Sequence, residues 1–129
     1  MANVLLIDDE PLVVETLSNA LTAAGHTVAT ASNGVDGLKR YALEKFDLVI
    51  TDIIMPDKEG IELIMELRRQ APDVKIIAIS GGGRTGNVEF LKMATKLGAV
   101  AALKKPIRLA EFYELLKSVL ADRSAENNA

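Results

Sequence analysis

The chain contains no cysteine and no tryptophan, and its aromatic residues are three phenylalanines and two tyrosines. Without cysteine it can form neither disulfides nor thiolate metal sites, which is typical of cytoplasmic proteins. It also lacks an apolar run approaching the roughly 18 to 20 residues that cross a bilayer. No basic leader precedes the first apolar segment, so no secretion signal is expected. These absences predict a cytoplasmic protein with no membrane partner.

A large excess of charge of one sign is absent as well. Fifteen basic and eighteen acidic side chains give a formal net charge of −3, which argues against nucleic acid or an anionic membrane as a partner. With 49% hydrophobic and 26% charged residues among 129, the chain should fold as one globular domain with a real core. We assign residues 1–121 to that domain and expect 122–129 to be a polar tail that frays.

The sequence does contain a regular alternation of strand-like and helical segments. Short apolar runs typical of buried strands lie at 4–7, 26–31, 48–50, 74–79 and 99–103. Apolar residues at helical spacing follow each run, in segments that begin near residues 11, 35, 60, 90 and 112. Five strands alternating with five helices predict a parallel sheet covered on both faces. We therefore expect a flavodoxin-like, doubly wound (βα)5 fold with strand order 2-1-3-4-5.

Asp52 is the most conspicuous charge in this pattern. It follows the apolar run 48–50 almost directly, and Met55 and Pro56 come soon after it. A charge at the end of a buried strand is costly unless something there uses it. In parallel α/β sheets, ligands and chemistry collect at the carboxyl ends of the strands. Asp52 is therefore the candidate reactive group.

Other polar side chains follow neighbouring strands of the predicted sheet. Asp8 and Asp9 come after the first strand, Ser80 after the fourth and Lys105 after the fifth. In the order 2-1-3-4-5 these strand ends lie side by side with the end that carries Asp52. Clustered carboxylates suit a hard divalent cation, for which Mg²⁺ is the expected ion. A lysine and a hydroxyl beside it suit the oxygens of a phosphoryl group, and a carboxylate there can form an acyl phosphate.

Each of these residues also has an ordinary structural explanation. Asp9 could cap a helix, Ser80 could belong to the turn that its following glycines form, and Lys105 could be solvated. The functional interpretation depends on the agreement of all five positions with one fold.

The motifs that carry these residues resemble those of a response-regulator receiver domain, and the resemblance extends from Asn3 to Leu120. The matching pieces are the acidic pair in the stretch 6–11, the strand that ends in Asp52 with Met55-Pro56 and Gly60 after it, Ser80, and Lys105-Pro106 preceded by Gly98-Ala99. The resemblance implies that Asp52 accepts a phosphoryl group from the phosphohistidine of a histidine kinase or a histidine phosphotransfer protein.

The resemblance also implies the ligands and the output. It implies a Mg²⁺ site formed by Asp8, Asp9, Asp52 and the backbone carbonyl of Ile54, with Asp9 and Asp52 as the preferred direct ligands, and phosphoryl contacts from Lys105 and Ser80. No effector domain follows Ala129, so a stand-alone regulator is expected, signalling through protein contacts or passing the phosphate onward in a phosphorelay. Its partner face would be the fourth helix, the fifth strand and the fifth helix. We expect a signalling module that assists its own phosphorylation rather than an enzyme.

Three positions depart from the usual receiver pattern. Ala102 stands where an aromatic residue often reports phosphorylation to the partner surface, so the readout must depend on Ser80 and the segment after it. Ile54 and Gly82 stand where polar side chains could orient an attacking water, and we therefore expect slow self-dephosphorylation. Residues 81–86 are unusually rich in glycine, which predicts a flexible loop.

Two other classes of protein share parts of this pattern. Enzymes of the haloacid dehalogenase type use a covalent aspartate, but they carry a second acid two residues later, where this chain has Ile54. A flavin or nucleotide carrier could share the fold, and Gly81, Gly83 and Gly86 match the dinucleotide fingerprint. That fingerprint belongs after the first strand of its unit rather than the fourth, and no acid lies at the required distance. Both alternatives are therefore disfavoured.

Overall fold

The structure, a computed structural model, describes residues 1–53, 59–80, 92 and 94–128. Five strands form one parallel sheet in the order β2-β1-β3-β4-β5, which confirms the predicted order. The strands are β1 Asn3–Ile7, β2 Thr27–Ala31, β3 Leu48–Asp52, β4 Lys75–Ser80 and β5 Ala101–Lys104. The register places Ile7 beside Thr51, Asp52 beside Ile79, and Ser80 beside Lys104. The carboxyl ends of β1, β3, β4 and β5 therefore share one edge of the sheet.

Helices connect the strands. They are α1 Pro11–Ala23, α2 Gly34–Leu43, α3 Glu59–Gln70 and α5 Leu109–Asn128, and between β4 and β5 the described residues 92 and 94–96 are helical and are called α4. Pro11 occupies the first turn of α1, where a missing N–H costs nothing. The Asn33 side chain caps α2 by accepting a hydrogen bond of 2.8 Å from the Asp36 amide. Residues 122–128, expected to be a polar tail, continue α5 as helix.

Two hydrophobic cores cover the two faces of the sheet. Strand residues alternate between them, so that Leu5 and Ile7 point to one core while Val4 and Leu6 point to the other. The first core lies under α2, α3 and α4, and the second lies under α1 and α5. Burial on both faces explains why the strands appear in the sequence as continuous apolar runs without alternation.

Some apolar residues that helped to define the predicted helices face outward. Val35 of α2 is 56% exposed and Met65 of α3 is 52% exposed. The sequence positions of Met55, Met65 and Met93 predict packing in or near the core, and for Met65 that prediction was wrong. Instead α2 approaches the sheet closely at Gly37, where an added Cβ would lie 2.5 Å from Cδ1 of Ile7. The absence of a side chain at Gly37 therefore permits the close approach. Met55 and Met93, also interpreted as core residues, lie outside the described residues.

No helix in the described parts of the chain has the length and apolarity needed to cross a membrane. His26, the only histidine in the sequence, lies in a predicted helix-to-strand turn with no partner nearby in sequence, which predicts a solvated side chain. It is instead half-buried, and its Nδ1 accepts a hydrogen bond of 3.0 Å from the Ala2 amide. Burial therefore lowers the pKa of His26, and the nearby amino terminus lowers it further. The expectation of a free surface histidine was wrong.

Candidate functional site

Four of the polar side chains singled out in the sequence come together at the carboxyl edge of the sheet. Asp8 follows β1, Asp52 ends β3, Ser80 ends β4 and Lys105 follows β5. All four are buried, in contrast to Asp9, which is exposed. Because buried charges are costly unless they are paired, the contacts within this group decide what the site can do.

Lys105 lies at the centre of the group. Its Nζ donates a hydrogen bond of 3.0 Å to Oδ2 of Asp52, lies 3.0 Å from Oδ2 of Asp8, and donates a hydrogen bond of 2.5 Å to Oε1 of Glu10. The Lys105 amide also donates a hydrogen bond of 2.8 Å to the carbonyl of Ser80, which joins β4 to the loop after β5. One ammonium therefore bridges the ends of β1 and β3 and the start of α1.

Electrostatics fix the charge on Lys105. Burial alone would lower its pKa, but contacts with Glu10, Asp8 and Asp52 outweigh burial and raise the pKa well above its ordinary value. Lys105 is therefore a permanent cation in this site. The adjoining Lys105–Pro106 peptide bond is cis.

The surroundings of Asp8 disfavour the charged form of its carboxyl group. Its Oδ1 accepts a hydrogen bond of 2.9 Å from the Glu10 amide. Burial nonetheless raises the pKa of Asp8 above its usual value of 3.8; the Glu10 amide and Lys105 oppose the rise, and the Asp52 charge adds to it. The site thus contains a carboxylate that would gain from additional positive charge.

The acidic residues fit a divalent cation. Among the described residues, one carboxylate oxygen from each of Asp8, Glu10 and Asp52 lies within 4.8 Å of the other two. Oδ2 of Asp8 is buried and receives no aligned hydrogen bond in the described part of the chain, so its contact with Lys105 is an ion pair. Carboxylate oxygens are the ligands that Mg²⁺ prefers, and this oxygen is free to serve as one.

The structure does not place every expected ligand in the group. Asp9 is exposed and does not belong to the three oxygens that lie together. Ile54, whose carbonyl was expected to contribute, lies outside the described residues. Gly82 and the glycine-rich stretch 81–86 lie outside them as well. Ser80 is fully buried at the end of β4, next to the strand that carries Asp52.

Glu10 belongs to the site, although the sequence analysis did not propose it. Glu10 lies at the N-cap position of α1, where a side-chain oxygen can bond the free amides of the helix. The side chain makes no such bond and turns to Lys105 instead. The available signal was a third acid directly after the pair at 8 and 9.

A groove of about 460 Å³ opens beside this cluster. Its lining combines Glu10 and Lys105 with apolar and hydroxyl side chains of α1 and of the loop after β5. The other lining residues are Leu12, Val13, Thr16, Leu17, Pro106 and Ile107. Lys105 is therefore reachable from solvent along the side of α1 even though its own side chain is only 10% exposed.

Comparison with known proteins gives a consistent result. A family model described as the response regulator receiver domain matches residues 4–117. The transcriptional regulatory protein GlrR of Escherichia coli (strain K12) is 32% identical over 92% of this chain and 26% of its own length. The chemotaxis protein CheY of Treponema pallidum (strain Nichols) is 35% identical over 91% of this chain and 81% of its own length.

A solved structure of a CheY-like response regulator receiver domain protein from Methanospirillum hungatei JF-1 has the same fold. Its TM-score is 0.86 at 28% identity, and the match covers 98% of both chains. The chain spans only about a quarter of GlrR, however, as the coverage of 26% shows. Similarity to GlrR therefore concerns only that part of its length.

Proposed function

The chain belongs to the family of response regulator receiver domains, which are signalling modules, and on that premise we propose that it accepts a phosphoryl group on Asp52 in a two-component or phosphorelay system. The observation that carries the proposal is the buried carboxylate of Asp52 at the end of β3, held 3.0 Å from the Lys105 ammonium. A buried carboxylate beside a fixed cation is prepared to act as a nucleophile and to have its product stabilised.

The proposed reaction is a transfer between two side chains. A carboxylate oxygen of Asp52 attacks the phosphorus of a phosphohistidine on a histidine kinase or histidine phosphotransfer protein. The new O–P bond forms as the donor's N–P bond breaks, and the electron pair of that bond returns to the histidine nitrogen. Lys105 offsets the negative charge on the phosphoryl oxygens, and Ser80 is proposed to contact one of them.

Mg²⁺ is the proposed cofactor. When bound, it would neutralise the carboxylates and the phosphoryl oxygens that must approach one another. Asp8 and Asp52 have the geometry to hold it. Asp9 and the Ile54 carbonyl are kept as proposed ligands from the family resemblance.

Output is proposed to proceed through proteins that contact α4, β5 and α5, or by onward transfer of the phosphate. The expectation that nucleic acid is not a partner depended on net charge alone. The relatives lend it no support, since GlrR and others are named transcriptional regulatory proteins. Whether slow self-dephosphorylation follows from Ile54 and Gly82 and whether the protein acts in the cytoplasm both stay predictions.

Phosphorylation of Asp52 can be tested with a small phosphodonor. The protein is incubated with acetyl phosphate and Mg²⁺, and its intact mass is measured for the wild type, Asp52→Asn and Asp73→Asn. Asp73 is exposed at the opposite edge of the sheet, so its variant is the matched control. We expect one hydroxylamine-labile phosphate in the wild type and the control and none in Asp52→Asn. An equal adduct in Asp52→Asn, or no adduct with any donor or kinase, would contradict the proposal.

A further inference from the structure

Glu10 uses its carboxylate in an unusual way for a residue at the start of a helix. It is the N-cap residue of α1, yet its side chain makes no cap hydrogen bond. The carboxylate instead accepts a hydrogen bond of 2.5 Å from Lys105, a residue 95 positions away in the chain. This is the shortest of the three contacts that the ammonium makes with carboxylates. The carboxylate of Glu10 is therefore committed to Lys105 rather than to its own helix.

The three carboxylates around Lys105 differ in how easily they can leave it. The side chains of Asp8 and Asp52 are 0% and 2% exposed, whereas that of Glu10 is 57% exposed. A buried carboxylate that loses its cation stays desolvated and unpaired, which is costly. An exposed carboxylate can rotate into water at little cost. Glu10 is therefore the partner that Lys105 can exchange most readily.

An ammonium group has three N–H donors. In this structure Lys105 donates hydrogen bonds to Glu10 and Asp52 and lies 3.0 Å from Oδ2 of Asp8 as an ion pair, so three carboxylates surround the ammonium. A phosphoryl oxygen on Asp52 approaches the same ammonium and therefore competes with these carboxylates for it. The exposure of Glu10 makes it the one that is displaced.

We propose that Glu10 is a positioning residue that holds Lys105 in the resting site and competes with the phosphoryl group for its ammonium. The inference depends on the proposed phosphorylation of Asp52. Removing the carboxylate should release one donor of Lys105 in advance, and it also removes a negative charge from the path of an anionic phosphodonor. Phosphorylation should therefore become faster.

The test compares Glu10→Gln and Glu10→Ala with the wild type at saturating Mg²⁺ and a fixed acetyl phosphate concentration. Glu15→Gln is the matched control, because Glu15 is an exposed acid on the same helix and does not belong to the site. We expect the phosphorylation rate of both Glu10 variants to rise about three- to tenfold, the scale of one charge-assisted contact. The alanine variant should be at least as fast, because a glutamine oxygen can still accept a weaker bond.

Two further measurements separate this role from a structural one. The NMR signal of the Lys105 ε-methylene, recorded without phosphodonor and assigned with Lys105→Arg, should shift in Glu10→Gln and stay in place in Glu15→Gln. Mg²⁺ affinity measured by calorimetry gives the concentration that saturates each variant, so that a change in phosphorylation rate at saturation is separated from a change in Mg²⁺ binding.

The outcomes distinguish the inference from the function on which it depends. Unchanged rates in both Glu10 variants, with a normal adduct in the wild type, would overturn the inference alone. Slower phosphorylation together with much weaker Mg²⁺ binding would also overturn it, because Glu10 would then be a cation ligand. Absence of an adduct in the wild type would overturn both the inference and the proposed function.

Discussion

Polar side chains lie at both ends of the parallel strands: at the amino edge, where the strands begin, and at the carboxyl edge, where they end. The contacts that these side chains make differ between the two edges. At the amino edge, Asp47 accepts a hydrogen bond of 2.8 Å from the Asn3 amide, and the Arg68 guanidinium donates to the carbonyls of Pro72 and Gly98. At the carboxyl edge, the Lys105 ammonium contacts three carboxylates instead of backbone groups. Side chains at the amino edge thus form hydrogen bonds with backbone groups at the ends of strands and helices. The charged side chains at the carboxyl edge mainly contact one another.

This difference shows which edge the fold needs for stability. Backbone N–H and C=O groups at element ends must find partners, so side chains that supply them stabilise the fold. A buried group of charged side chains supplies no partners to those backbone groups, and its presence is weak evidence that it stabilises the fold. The group fits the phosphorylation proposed above, and substitutions at the two edges should separate activity from stability.

The largest expected effect is on phosphorylation, at the carboxyl edge. Lys105→Met removes the cation beside Asp52, and the rate of adduct formation with acetyl phosphate should fall by about a hundredfold or more. Arg68→Met removes a cation from the amino edge and should leave that rate within about twofold of the wild type, because transition-state charge develops far from it. Intact mass over time measures both rates. Equal losses in the two variants would show that the edges do not differ in this way.

The next effect is on stability, at the amino edge. Arg68 donates two hydrogen bonds of 2.5 Å, to the carbonyls of Pro72 and Gly98. These residues lie in the segments that precede β4 and β5. Its guanidinium approaches closely because Gly98, at φ 118°, has no Cβ; one placed there would lie 2.5 Å from Nε of Arg68. Arg68→Met should therefore lower the free energy of unfolding by about 2 kcal/mol, measured in urea.

The neighbouring Arg69 supplies the control for this measurement. Its guanidinium pairs only with Glu66 on the helix surface among the contacts of the described residues, and its side chain is 78% exposed. Arg69→Met should cost less than about 0.5 kcal/mol, as surface pairs usually do. A loss as large as that of Arg68→Met would show that charge on α3, rather than the two carbonyl contacts, stabilises this edge.

The contrast between the edges was only half visible in the sequence. Continuous apolar runs and glycine or proline at their ends were enough for the strand order, because right-handed crossovers leave few alternatives. Asp8, Asp52 and Lys105 could be placed at one edge for the same reason. Sequence spacing could not show that Lys105 is shared with Glu10, since that contact depends on a side-chain rotation at the start of α1.

The amino edge was harder to predict. The spacing of Arg68 places it on the helical face of the apolar residues of α3, but its partner Gly98 lies 30 residues further along the chain. Gly98 has the positive φ that is common after a helix, and the space it leaves for a guanidinium has no local sequence signature. Asp47 and His26 likewise bond the amides of Asn3 and Ala2, at separations of 44 and 24 residues. Long-range bonds of this kind depend on the assembled fold.

The smallest expected effect is on the free energy of unfolding. A substitution at the carboxyl edge should raise it, and one at the amino edge should lower it. Burial raises the folded-state pKa of Asp8 above 3.8, so the folded protein resists its ionisation more than the unfolded chain does. The contribution of Asp8 to stability is therefore greatest below the unfolded pKa and declines as the pH rises through the folded pKa. Asp8→Asn is neutral at every pH, and in EDTA at pH 7 it should raise the free energy of unfolding by about 1 kcal/mol, the usual scale of a single substitution.

Two further measurements test this prediction. One follows the stability of Asp8→Asn and the wild type over a series of pH values, and the other measures the stability of Asp47→Ala, a variant at the amino edge. The gain of Asp8→Asn over the wild type should shrink as the pH is lowered through the folded-state pKa of Asp8, because the wild-type carboxyl then becomes neutral as well. Asp47→Ala should instead lower stability by about 1 kcal/mol at pH 7, because the Asn3 amide loses its acceptor. A destabilised Asp8→Asn would mean that the ion pair with Lys105 outweighs burial. The carboxyl edge would then contribute to stability as the amino edge does, and the distinction between them would fail.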